Sequence, residues 1–162
     1  MCKFLSAVVT KSGEILCDPE HSDSHSELLE HFGLRDDELS SHLERFAKVQ
    51  FVPPEDGKDV ASLSKWTLTV DEATCPDWLD ADKLRPRLEA LVSPHILSEG
   101  ERPLLLGGWW ILAGKVQVGR AVNTVIKSMN DDAKVGNMSG SSKVDSMNGS
   151  SKVDSMNGSS NG

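Results

Sequence analysis

Tyrosine is absent from the 162-residue sequence, and aromatics make up 5% against 38% hydrophobic, so the apolar content is mostly aliphatic. Cysteine is scarce: Cys2, Cys17 and Cys75 make three, an odd number. Without an export signal, they argue against a disulfide framework and for reduced thiols in a cytoplasmic protein. No run approaches the roughly 18 uninterrupted apolar residues of a membrane span. The stretch Phe4 to Val9 is broken by Thr10, Lys11 and Ser12 before a secretory core is complete, and it reads as a first strand. Positive charge is also in deficit, with 17 Lys+Arg against 25 Asp+Glu for a net charge of -8. That balance argues against a nucleic-acid partner held by a broad basic surface.

What is present is unevenly distributed. Residues 1–112 carry 11 basic and 21 acidic side chains and residues 113–162 carry 6 and 4, which places a boundary near residue 112. In the front part, Glu14–Cys17 forms a second strand after the Gly13 turn. Ser24-His25-Ser26-Glu27 has the spacing of a capping box, opening a helix over residues 25–32 that Gly33 ends. Asp36 to Glu44 suits a short helical turn, Phe46 to Val52 a strand stopped by Pro53-Pro54, and Trp66-Leu68-Val70 a half-buried strand. A helical stripe runs from Trp78 to Leu97, with Pro86 dividing it into two helices. Leu104–Leu106 and Trp109–Leu112 flank Gly107-Gly108 as one bent buried strand or as two strands, with Trp109 and Trp110 on opposite faces. This order predicts an α+β head domain over residues 1–112.

The end of the chain is repetitive. Residues 140–148 read Gly-Ser-Ser-Lys-Val-Asp-Ser-Met-Asn, and residues 149–157 repeat them unchanged. The register reaches upstream: Ile126, Val135, Val144 and Val153 stand nine apart, as do Met129, Met138, Met147 and Met156. Two apolar columns at a fixed short period predict a β-solenoid over residues 113–162, each coil burying itself against its neighbours. Two nonapeptides supply 18 residues, enough for one flattened coil with a strand on each flank. The alternative is a disordered Gly/Ser-rich linker. Calcium is not expected, because the aspartate-bearing glycine turn of calcium-binding nonapeptides is missing.

Chemistry-bearing residues cluster once. Cys17, His21, Asp23 and His25 lie within nine residues. Thiolate and imidazole are the usual zinc ligands, and a thiol beside imidazoles is also the start of a nucleophilic site. The spacing fits no zinc motif, so the plainer reading is surface histidines beside a helix cap. No other cofactor is implied, and Gly107-Gly108 lacks the fingerprint of a phosphate loop.

The opening Met1-Cys2-Lys3-Phe4-Leu5-Ser6-Ala7, the Asp23-Ser24-His25 turn, Leu104-Leu105-Leu106-Gly107-Gly108 and the Gly-Ser-Ser-Lys-Val repeats together resemble a family of uncharacterised bacteriophage and bacterial proteins. Those proteins join a similar front domain to tandem nonapeptides. The resemblance implies no activity, cofactor or catalytic residue. Its members have longer arrays, often with an aromatic after the methionine, where this chain has Asn148 and Asn157. The sequence therefore predicts a non-enzymatic binding or assembly module, in which the head caps a repeat surface that engages a protein partner or self-associates. The competing expectation is a small metal- or thiol-dependent enzyme built on Cys17, His21, Asp23 and His25.

Overall fold

A computed structural model describes residues 5–21, 24–34, 45–56, 58–72 and 74–157. The chain divides into two compact units, Met1–Val52 with Trp66–Leu91, and Pro53–Lys65 with Val92–Gly162. The first unit holds an antiparallel sheet of β1 (Leu5–Thr10), β2 (Ile15–Leu16), β3 (Phe46–Val52) and β4 (Thr67–Val70), in the order β2-β1-β3-β4. β1 is aliphatic and buried from Leu5 to Val9, and it pairs along its length with β3, from Leu5 opposite Phe51 to Thr10 opposite Phe46. Its turn into β2 closes where the Glu14 amide donates to Thr10 Oγ1 at 3.0 Å.

Helix α1 (His25–His31) lays Leu28 and Leu29 against Val8 and Phe46. It stops because Gly33 takes φ 68°, which lets the Leu34 amide donate to the Leu29 carbonyl at 2.8 Å and the Gly33 amide to Glu30 at 3.2 Å. This paired closure leaves Leu34 packed on the same apolar cluster. The helical turn expected over Asp36 to Glu44, and Cys2, lie outside the described residues.

Helix α2 (Ala81–Val92) corrects two expectations. Pro86 lies inside it and does not divide it. The helix starts instead at Asp80, whose Oδ1 accepts from the Asp82 amide at 3.0 Å and whose carbonyl accepts from Leu84 at 3.0 Å. The stripe also ends short of Leu97, because a 3-10 turn at Ser93–His95 carries the chain into β5 (Ile96–Leu97). The α+β label therefore overstates the helix. The described residues are mostly strand, with two short α-helices and a β-solenoid-like region of about four turns.

That region lies within the second unit. β6 (Glu101–Leu106), β8 (Gln117–Val122), β10 (Lys134–Ser139) and β12 (Lys152–Met156) form one parallel sheet, ordered β12-β10-β8-β6. β5, β7 (Trp109–Leu112), β9 (Val125–Met129) and β11 (Lys143–Val144) form the other, ordered β11-β9-β7-β5. Parallel ladders begin at Ile96, upstream of the boundary near residue 112 that charge suggests, because diverged residues build the first coils. Glu101 pairs Gln117, Gln117 pairs Lys134, and Lys134 pairs Lys152, so each coil gains one residue until it matches two nonapeptides. Leu104–Leu106 and Trp109–Leu112 are thus two strands on opposite sheets, and Leu104 and Leu106 are exposed.

Each corner turns on a left-handed residue: Gly107, Gly114, Asn123, Asp131, Gly140 and Gly149 have φ between 50° and 67°. At Gly140 a Cβ would overlap the Asn123 side-chain oxygen, which accepts from the Ser141 amide at 2.9 Å. Glycine there is favoured by the backbone angle and keeps clear the Asn123 side chain that caps the turn.

Candidate functional site

The clustered cysteine and histidines are dispersed by local structure. His25 opens α1 with its ring buried, Nε2 donating to the Val49 carbonyl at 2.8 Å and Nδ1 facing Asp71 at 3.1 Å. His21 is exposed, and its Nδ1 meets Asp18 at 2.9 Å. Asp23 lies outside the described residues. Cys17 is half-buried, and burial followed by the charge of Asp18 raises its thiol from 9.0 to about 11. A thiol so protonated at neutral pH is a poor nucleophile and a poor metal ligand. Among the described residues, no group of three or more His, Cys, Asp or Glu side chains is placed to hold a metal ion.

The repeat columns divide between the two sheets. Ile126 pairs Val144 on one, and Val135 pairs Val153 on the other, because neighbouring nonapeptides occupy opposite flanks of a coil. Met138 pairs Met156, and Met129 bridges to Met147. Ile126, Met129, Val135 and Met138 are fully buried, Val144 is 8% exposed, and Val153 packs half-buried against them. Exposure then rises to 36% at Met156 and 42% at Met147.

Polar residues also line the interior, a feature the column reading of apolar residues missed. Ser142 Oγ accepts from the Thr124 amide at 3.1 Å, and the Thr124 hydroxyl donates to the Leu105 carbonyl at 3.2 Å. Asn130 Nδ2 donates to the Leu112 carbonyl at 3.2 Å, and its Oδ1 accepts from Asn148 Nδ2 at 3.0 Å. Buried Ser142 in the first nonapeptide, and buried Asn130 one coil before exposed Asn148, therefore stitch coil to coil. Their signal in the sequence is the same nine-residue period that marks the valines.

The two sheets differ on their outer sides. On β7 and β9, Trp109, Ile111 and Val125 are buried. Trp110 packs against the ladder core, while Trp109 stacks on His95 at 4.0 Å between ring centres. Lys127 is the extra residue where the β7–β9 register slips, and its buried amine meets Asp145 at 3.3 Å. The outer side of β6-β8-β10-β12 is open. A trough of about 440 Å³ runs across its strands, with Pro103, Gly119 and Gly136 as floor and Glu101, Arg102, Lys134 and Asp154 at its margins. The floor is bare because a Cβ on Gly136 would stand 2.8 Å from the Gly119 carbonyl oxygen. Beside it, Leu104, Arg120, Asn137 and Ser155 align strand by strand, Asn137 Nδ2 donating to Ser155 Oγ at 2.9 Å. Arg102, Arg120 and Lys134 were not singled out by the sequence reading. Assigning alternate nonapeptides to alternate flanks would have grouped Lys134 with Lys152.

Among the described residues, no helix is long and apolar enough to cross a membrane. No protein-family model matches the chain, and neither a curated protein nor a solved structure matches it.

Proposed function

We propose that the protein is a non-enzymatic binding module, whose open β6-β8-β10-β12 face engages an acidic partner protein. The observation that carries this reading is a local reversal of charge. Arg102, Arg120, Lys134 and Lys152 lie on this flank against Glu101 and Asp154, in a chain of net charge -8. Lys134 and Lys152 are register neighbours on adjacent parallel strands, and Arg120 lies three residues along β8 from the Gln117 that pairs Lys134, a spread of cations on a rigid sheet that favours an extended ligand lying across the strands. Exposed Leu104 and Leu106 add apolar contact next to the charges. An enzymatic reading on Cys17, His21 and His25 has less support, because His21 and His25 are engaged locally and the thiol stays protonated.

The test uses a fluorescent peptide of alternating glutamate and glycine. Anisotropy should report binding that weakens as salt rises. The R120E/K134E variant should lose about tenfold or more in affinity, the order expected when two favourable contacts become like-charge contacts. Absence of binding at low salt, or a variant that binds like the parent chain, would remove the proposal.

A further inference from the structure

We infer that the first unit holds a second binding site, for a small phosphate monoester, between the β1–β2 turn and the start of α2. A pocket of about 150 Å³ lies there, floored by buried Val9 and Leu84. Lys11 and Gly13 border it from the turn, and Asp80, Lys83 and Arg87 border it from the helix. All of these residues belong to the same compact unit, and the three cations are exposed. Arg87 reaches back to the turn, since a Cβ on Gly13 would stand 3.9 Å from one of its guanidinium nitrogens.

Charge identifies the ligand. Residues 1–112 carry 11 basic against 21 acidic side chains, so a cation there has many possible partners. Among the described residues, however, the side chains of Lys11, Lys83 and Arg87 pair with no carboxylate. Two of the three also stand where a helix disfavours them. Lys83 and Arg87 are four residues apart on α2, where like charges repel, and Lys83 lies in the first turn, the positive end of the helix dipole. An anion held between them relieves both costs. Among the described residues Asp80 is the one acid at the pocket, so three cations against one carboxylate leave two positive charges in excess. That excess matches the dianion of a phosphate monoester and exceeds what a single carboxylate needs. Asp80 Oδ1 already accepts from the Asp82 amide at 3.0 Å and the Lys83 amide at 3.4 Å, so side chains hold the ligand and the helix amides do not. Arg87 offers a planar fork to two phosphate oxygens, and the lysines act as point charges. The pocket is well below the roughly 300 Å³ of sites for drug-sized ligands, so it admits the phosphate and the first atoms of its ester.

Titration of the isotope-labelled full chain with glycerol phosphate, at constant ionic strength and about pH 7.5, tests the site through its amide resonances. The Gly13 and Lys83 signals should shift and saturate. K83Q/R87Q removes two charge-assisted contacts from exposed positions, so it should weaken binding about tenfold or more while leaving the circular dichroism spectrum intact. K11Q, a change on the other side of the pocket, should weaken it in the same direction. R120E/K134E, whose changes lie on the ladder, should bind like the parent at this pocket, which separates the site from the open face proposed above. Shifts that never saturate, a K83Q/R87Q variant that binds unchanged, or acetate saturating the same signals at equal affinity would each overturn the inference. Inorganic phosphate binding at least as tightly as glycerol phosphate would overturn the assignment to an ester.

Discussion

Truncating the methionine column one position at a time should reveal how the ladder is held together. Met129 is fully buried, opposite Leu112 on one side and bridged to Met147 on the other. Met129→Ala removes about three heavy atoms, worth about 2–2.5 kcal/mol in transfer free energy at about 0.8 kcal/mol per methylene-sized group. The space left is enclosed by coils on both sides, so a cavity contribution brings the cost to about 3–4 kcal/mol. Met138→Ala, equally buried between β8 and β12, should cost the same. Met156 is 36% exposed with one strand neighbour among the described residues, so about two-thirds of the transfer term applies and no closed cavity forms, giving about 1.5 kcal/mol. Urea unfolding followed by far-ultraviolet circular dichroism, with the slope checked for constancy between variants, would measure all three. Equal losses at Met129 and Met156, or a larger loss at Met156, would refute coil-on-coil burial as the source of stability.

Two further outcomes follow from the head. Cys17 should resist alkylation near neutral pH while exposed Cys75 reacts, as read by peptide mass mapping; equal labelling would contradict its burial. Because its folded pKa of about 11 exceeds the ordinary thiol value of 9.0, the folded chain keeps a proton that the unfolded chain loses, so this stabilising contribution is full below pH 9.0 and vanishes as pH rises through about 11. Pro86→Ala should raise stability by about 1–3 kcal/mol, since proline withholds a hydrogen bond within the helix and position 86 is exposed. A lowered melting temperature would show that the ring makes a contact worth more than that bond.

The sequence was most legible where one period dominates. β1 and β3 follow from short apolar runs bounded by turn residues, β4 from alternation, and α1 from an apolar stripe ended by Gly33, all local features that tertiary contacts reinforce. Pro86 misled because proline early in a helix loses only one bond, and an exposed position lets water replace it. The ladder was readable from residue 126 onward, where the columns keep their spacing. Its first coils were hidden, since Leu105, Leu112 and Val118 do the work of valine and methionine at spacings short of nine. The Cys17–His25 grouping reflected closeness along the chain, but side-chain direction is set by the element. The first turn of α1 points His25 inward to Val49 while His21 remains in a solvent-exposed turn. The open cationic face needed the assignment of strands to flanks, which no local pattern supplies.

The gradual lengthening of the coils also bears on how such an array changes over generations. Once a coil equals two nonapeptides, copying a pair of them inserts a whole turn, and every later side chain keeps its flank. Copying a single nonapeptide inserts half a turn, which transfers the downstream strands from one sheet to the other and moves their lysines and aspartates to the opposite side. Growth in pairs extends the existing binding face, whereas growth by odd numbers rebuilds it. The unit of inheritance in this protein is therefore nine residues long, while the unit that leaves its surface unchanged is 18.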